Sequence, residues 1–162
     1  MTENRSTNHT FTAIEGRELT VKRVLSAPRE LVFQTWIDPQ HLSNWWGPQG
    51  FTITIQAIDV KPGGVWRYIM HGPDGIDYDN KITYIEVIRP ERLVYSHGDF
   101  EEDEQFRVTV TFAEQGNTTE LTMSSLFKSA EELEMVVKQY GAVEGAKQTL
   151  DRLEEELAKL SH

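Results

Sequence analysis

The chain has 162 residues, 38% of them hydrophobic and 10% aromatic, which is enough apolar material for the core of one folded domain. Its 26 acidic residues outnumber 16 basic ones, and the net charge of −10 disfavours binding to nucleic-acid phosphates. The chain has no cysteine, which excludes disulfides, thiolate metal sites and a cysteine nucleophile.

The N-terminal segment is polar and lacks the basic start and apolar stretch of a secretory signal. No part of the chain contains the ~20 consecutive apolar residues that a membrane span needs. We therefore expect a flexible tail over residues 1–12 and a single domain over residues 13–162. We also expect no membrane insertion and a cytoplasmic location.

The first ordered elements are a strand and two short helices. Residues 19–25 alternate between apolar and polar side chains, which predicts a strand. A helix then begins near Pro28, because proline fits the first turn of a helix. Asp38 and Pro39 predict the cap and first turn of a second short helix, which ends before Gly47.

The apolar period changes to two residues over residues 51–127, as in β-strands. Turn-forming residues at 63–64, 73–75 and 115–117 divide this region. The pattern predicts about six antiparallel strands here, so that the whole sheet has six to seven.

A long C-terminal helix follows the last strand. Ser129 and Glu132 form a capping box, and apolar residues then recur at steps of three and four. This stripe predicts one helix of about 30 residues, with Gly141 and Gly145 thinning it where it faces the sheet or a ligand. Helices gathered on one face of an antiparallel sheet make an α+β fold.

Several motifs, spread in order over residues 17–160, match those of a known family. They are Val32, Phe33 and Trp36; residues 45–48; Gly63, Gly64, Trp66, Arg67, Tyr68 and Met70; residues 73–75; residues 90–94; and residues 150–153. On these residues the chain resembles the AHSA-type family, named for the activator of heat-shock-protein-90 ATPase, within the START-like (SRPBCC) superfamily. The resemblance implies a helix-grip fold, in which a curved antiparallel sheet surrounds a long C-terminal helix and leaves an elongated cavity.

The resemblance also implies three classes of function. Relatives bind small hydrophobic molecules, regulate chaperones in the stress response or, in distant branches, act as enzymes. We expect the first, with a small hydrophobic ligand of aromatic or lipid-like character. Regulation of a heat-shock-protein-90 ATPase is the alternative, and no cofactor is implied.

The residue pattern gives little support for an enzyme. None of the five histidines pairs with another at helical metal-ligand spacing, and the nucleophile-elbow and phosphate-loop motifs are absent. We therefore predict no catalytic residue and no metal site. His97 shares a strand face with Tyr95, so it either enters the interior as a ligand-binding group or base, or lies near solvent at a strand end. The position before an acidic loop favours the second alternative.

Inward-facing aromatic and apolar residues are the candidates for a ligand cavity, because such side chains with a few polar tips are typical of small-molecule pockets. The competing interpretation is that they only fill the core. The predicted ligand-binding residues are Trp66, Tyr68, Met70, Tyr84, His97, Phe106, Val108, Met123, Phe127 and Tyr140.

Two further positions have alternatives that the sequence leaves open. Trp45 and Trp46 are adjacent on a helix, so we expect one to lie in the core and the other at the surface or over the cavity. Glu86 lies in an otherwise apolar strand and either faces water or pairs with a cation.

Overall fold

The computed structural model describes residues 10–160, which form one antiparallel sheet and four helices. The strands are β1 (Phe11–Glu15), β2 (Glu18–Leu25), β3 (Thr52–Ala57), β4 (Val65–His71), β5 (Asp77–Ile88), β6 (Arg92–Gly98), β7 (Phe106–Gln115) and β8 (Thr118–Phe127). The helices are α1 (Arg29–Ile37), α2 (Pro39–Trp45), α3 (Ala130–Tyr140) and α4 (Ala142–Leu160). The strand order in the sheet is β1-β2-β8-β7-β6-β5-β4-β3.

The predicted α+β class and the two short helices are confirmed, but the helices follow the second strand rather than the first, and the sheet has eight strands rather than six to seven. The additional strand is β1, so residues 11–12 belong to the sheet and not to the expected tail. Phe11 and Ile14 are more than half exposed, so β1 has no buried face for periodicity to detect. Residues 1–9 of the expected tail lie outside the described residues.

The predicted long C-terminal helix is wrong in one respect, because Gly141 divides it into α3 and α4. Ser129 accepts a hydrogen bond from the Glu132 N–H at 3.1 Å, as the capping box predicts. Gly141 then adopts a φ of +60°, a left-handed conformation that ends helices and favours glycine. Gly145 remains helical inside α4, where an added Cβ would lie 3.5 Å from Pro48.

Tryptophans from α1, α2 and β4 pack edge to face at the centre of the core. Trp46 lies 5.5 Å from Trp36, 5.3 Å from Trp45 and 5.0 Å from Trp66 between ring centroids. Both adjacent tryptophans are buried, so the surface alternative is wrong, but Trp45 lies in the core and Trp46 also lines the cavity described below, as the other alternative expected. Trp46 has left the helix for extended backbone, so the rule that neighbours on a helix face apart does not apply to it.

Helix α4 covers the sheet with a leucine stripe and one ionic contact. Leu150, Leu153 and Leu157 are buried on this stripe. The buried Arg23 of β2 donates to Asp151 at 2.5 Å, which fixes α4 across the sheet. Among residues 10–160, no helix is both long and apolar enough to cross a membrane.

Candidate functional site

A cavity of about 1110 Å³ lies between the sheet and the α3–α4 pair. Strands β4 to β8 provide one wall, α3 and α4 provide another, and the loop after α2 contributes residues 46–48 and Phe51. Its size reaches the upper end of the ~300–1,000 Å³ range of small-molecule pockets. The fold therefore leaves room for a ligand where a fully packed core would leave none.

Most of the predicted ligand-binding residues line this cavity. Those that do are Tyr68, Met70, His97, Phe106, Val108, Met123, Phe127 and Tyr140. Trp66 and Tyr84 do not, because Trp66 is buried in the tryptophan cluster and Tyr84 packs against Tyr95. Tyr140 is 70% exposed and lies at the rim, since it is the last residue of α3. A role of the lining residues in ligand binding stays a prediction.

His97 is half-buried in the cavity wall and does not lie at a solvated strand end, which corrects the alternative that its position before the acidic loop favoured. Its ring lies 4.8 Å from that of Phe106, and its Nε2 lies 2.9 Å from Asn80 Oδ1. Burial lowers the pKa of His97 to about 4 because the charged form is desolvated. The imidazole is therefore neutral at pH 7.

Tyr68 is a fully buried phenol in the same part of the cavity wall. Its hydroxyl oxygen accepts a hydrogen bond from Trp46 Nε1 at 2.8 Å. Burial raises the pKa of Tyr68, so this hydroxyl stays protonated at any ordinary pH. The cavity wall thus presents two uncharged polar groups within an aromatic surface.

Sequence reasoning missed Asn80 and Tyr78, although the hairpin that contains them carries a usable signal. Tyr68 pairs with Asn80, and Met70 with Tyr78, across β4 and β5. Residues directly opposite each other on antiparallel strands share a face. The register set by the turn at residues 73–75 would therefore have placed both beside the predicted cavity residues.

The loop between α2 and β3, which forms one cavity wall, is held by Arg152 of α4. Its Nη1 lies 2.8 Å from Gly47 O, 3.0 Å from Pro48 O and 3.1 Å from Phe51 O. Gly47 has a φ of +103°, and a Cβ there would lie only 3.2 Å from Met70 Cε. Two of the sequence motifs therefore contact each other in the structure, namely residues 45–48 and residues 150–153.

Glu86 was expected either to face water or to pair with a cation, and in the structure it forms an ion pair outside the cavity lining. Arg92 Nε donates to Glu86 Oε1 at 2.5 Å, and this hydrogen bond lowers the pKa of the carboxyl group. Across residues 10–160, no three histidine or carboxylate side chains gather as ligands for a metal ion. The cavity lining itself combines apolar side chains, the neutral polar groups of Tyr68, Asn80 and His97, and several carboxylates.

Solved structures of bacterial proteins share this fold along nearly their whole length. A protein from Mycobacterium smegmatis is 28% identical with a TM-score of 0.83, and the match covers 94% of this chain and 98% of that one. A protein from Rhodobacter sphaeroides is 22% identical, with a TM-score of 0.83 and coverages of 94% and 99%. The AHSA1 protein of Silicibacter pomeroyi is 23% identical, with a TM-score of 0.72 and coverages of 90% and 99%.

The search of curated proteins found no match. A family model described as "Activator of Hsp90 ATPase homolog 1-like protein" matches residues 26–158, from the end of β2 almost to the end of α4. This range includes the tryptophan cluster, the Arg152 contact and most of the cavity wall. The chain therefore belongs to the activator of Hsp90 ATPase homolog 1-like family.

Proposed function

We propose that this protein binds a small hydrophobic molecule in the cavity between the sheet and the α3–α4 pair. The observation that carries the proposal is the cavity of about 1110 Å³, lined mainly by aromatic and aliphatic side chains, with polar and acidic side chains also in its lining. Transfer of apolar ligand surface into such a site provides affinity at about 25 cal/mol per Å² buried. Aromatic walls and methionines suit flat or irregular apolar ligands.

Two valines of β7 provide a matched test of this proposal. Val108 and Val110 are both buried, but only Val108 lines the cavity. Each Val→Ala change removes the same two methyl groups and costs stability, on the order of 1 kcal/mol or more. The Val108→Ala change alone should weaken a bound ligand, by roughly three- to tenfold, because the shortened side chain buries less apolar surface against it.

The measurement is a fluorescence titration with N-phenyl-1-naphthylamine, an uncharged apolar probe, followed by displacement with sterols, fatty acids and planar polyphenols. Amide NMR then locates the site by saturable shifts around Tyr68, Val108 and Met123. If the probe does not bind, or if both valine variants weaken it equally, the cavity is not the binding site.

Regulation of an Hsp90 ATPase, the alternative from the sequence, stays a prediction that rests on the family description alone. Its test is an ATPase assay of a purified Hsp90 with and without this protein. Stimulation that is abolished by charge reversal of the acidic residues 101–104 would favour it. An unchanged ATPase rate at saturating protein would exclude this function for the Hsp90 tested.

A further inference from the structure

Three uncharged polar side chains of the cavity wall, Tyr68, Asn80 and His97, form one connected cluster on β4, β5 and β6. Tyr68 Oη lies 2.8 Å from Trp46 Nε1 and 3.4 Å from His97 Nε2. The same His97 Nε2 lies 2.9 Å from Asn80 Oδ1. The donors and acceptors of this cluster that have no partner within the protein determine which ligand groups it can bind.

The hydrogen bonds fix which atoms of His97 and Asn80 carry protons. Asn80 Nδ2 donates to the Tyr78 carbonyl at 3.1 Å, so its Oδ1 faces His97. An amide oxygen only accepts, so His97 Nε2 must carry the hydrogen and donate it. Since burial also keeps the imidazole neutral at pH 7, His97 offers no positive charge to a ligand.

The hydroxyl group of Tyr68 consequently has an unused donor. Its oxygen accepts from Trp46 Nε1, and the other nitrogen close to it, His97 Nε2, already carries a hydrogen and cannot accept a second one. Among the residues that the structure describes, the Tyr68 hydroxyl hydrogen has no acceptor. The residue is fully buried in the cavity lining, so a ligand oxygen that displaces the side chains over it can satisfy this hydrogen.

The charges around the cavity are negative. Of the described residues, those that line it include no lysine or arginine. The carboxylates in its lining are Asp77, Asp79, Asp99, Glu101, Glu102 and Glu132. Glu102 pairs with Lys128 and Asp77 with His71, which leaves more carboxylates than partners. This field raises the free energy of an anionic ligand in the cavity.

From these observations we infer that the cavity selects an uncharged hydrophobic molecule with a carbonyl oxygen, which accepts from the Tyr68 hydroxyl, over its carboxylate analogue. The inference rests on the proposed function and adds the chemical class of the ligand. The apolar wall binds the hydrocarbon part, Tyr68 orients the oxygen, and the acidic lining excludes the carboxylate.

Three naphthalene compounds of similar shape test this selection at pH 7, each by displacement of N-phenyl-1-naphthylamine. They are 2-acetylnaphthalene, which has the carbonyl, 2-ethylnaphthalene, which lacks it, and 2-naphthoate, which is anionic. One hydrogen bond to a buried donor should favour the ketone over the hydrocarbon by about three- to tenfold. Unfavourable charge should weaken 2-naphthoate at least tenfold relative to the ketone.

The Tyr68→Phe variant removes the hydroxyl and keeps the ring. It should abolish the preference for 2-acetylnaphthalene over 2-ethylnaphthalene, measured as the ratio of the two affinities in the same variant. Tyr84→Phe is the matched control, because its hydroxyl is also buried but lies outside the cavity lining. If Tyr68→Phe is too unstable because Trp46 loses its acceptor, the wild-type comparison of the three compounds decides alone.

The outcomes separate the inference from the proposed function. If the probe binds but the ketone shows no advantage over the hydrocarbon, or does not displace the probe, the inference is overturned while the proposed function stands. Equal binding of 2-naphthoate and the ketone overturns it as well. If the probe itself does not bind, both fail together.

Discussion

Replacement of Arg152 by methionine should destabilise the protein and loosen one wall of the cavity. The guanidinium group lies within 2.8–3.5 Å of five backbone carbonyl oxygens, four reached by Nη1 and one, that of Asn44, by Nη2. Nη1 has two hydrogens, so about three of these hydrogen bonds form at full strength at any moment. The methionine side chain keeps most of the apolar length and removes every donor.

The expected cost follows from these bonds. A hydrogen bond from a charged donor contributes about 1.5–3 kcal/mol, but water replaces part of it at a half-buried loop. We therefore expect Arg152→Met to lower the free energy of unfolding by about 2–4 kcal/mol. Arg152→Lys should cost about half as much, because an ammonium group cannot span carbonyls that a planar guanidinium reaches together.

Urea denaturation measures the free energy of unfolding, and amide NMR reports whether residues 46–51 become mobile. Arg107→Met is the matched control, because that arginine pairs with Glu104 at the surface and should contribute less than about 1 kcal/mol. A decrease below 1 kcal/mol for Arg152→Met, with unchanged amide signals in the loop, would show that Arg152 does not hold the cavity wall.

Two further predictions concern the glycines of the C-terminal helices and His97, the half-buried histidine of the cavity wall. Gly141→Ala should lower the free energy of unfolding by about 1–2 kcal/mol because the φ of Gly141, +60°, is left-handed. Gly145→Ala should instead raise it by up to about 1 kcal/mol because Gly145 is helical. Urea or thermal unfolding of the two variants measures both changes, and changes of the same sign would contradict this prediction. For His97, the pKa of about 4 in the folded state lies below its ordinary 6.5, so the unfolded chain binds more protons between these values and stability falls as the pH drops from 6.5 to 4. The decrease reaches about 3 kcal/mol at most for this group. His97→Gln should remove that part of the pH dependence of stability, while the control variant His71→Gln should retain it. Urea denaturation of both variants and of the wild type at several pH values measures the difference. Identical dependence of stability on pH in His97→Gln and the wild type would refute the lowered pKa of His97.

Local rules predicted the elements whose signals lie within a few residues. Asp38 and Ser129 cap their helices as their side chains suggest, since a cap needs only a backbone N–H two or three residues ahead. The alternation in β4 correctly placed Tyr68 and Met70 on one inward face. These successes depend on periodicity and hydrogen bonds that the chain itself defines.

The same local rules could not predict features that depend on contacts between residues far apart in the sequence. Gly141 and Gly145 are the same residue type four positions apart, yet only Gly141 breaks the helix. Trp66 and Tyr68 share a face, but Trp66 packs against Trp46 outside the cavity lining, whereas Tyr68 lines the cavity. The position of His97 follows from three adjacent strands, so its own strand end could not reveal whether it was buried.

The residues that carry the family resemblance mostly build the frame of the cavity rather than its polar surface. Trp45 fills the core, and Arg152 holds the loop around Gly47. His97 and Asn80, which determine the hydrogen bonds open to a ligand, lie outside those motifs. Family membership therefore establishes the frame, while ligand preference depends on side chains that the motifs do not include. Tyr68 belongs to both groups, because its oxygen anchors Trp46 of the frame and the residue also lines the cavity. A change at Tyr68 should therefore alter stability and ligand preference together, whereas Tyr84→Phe should alter stability alone.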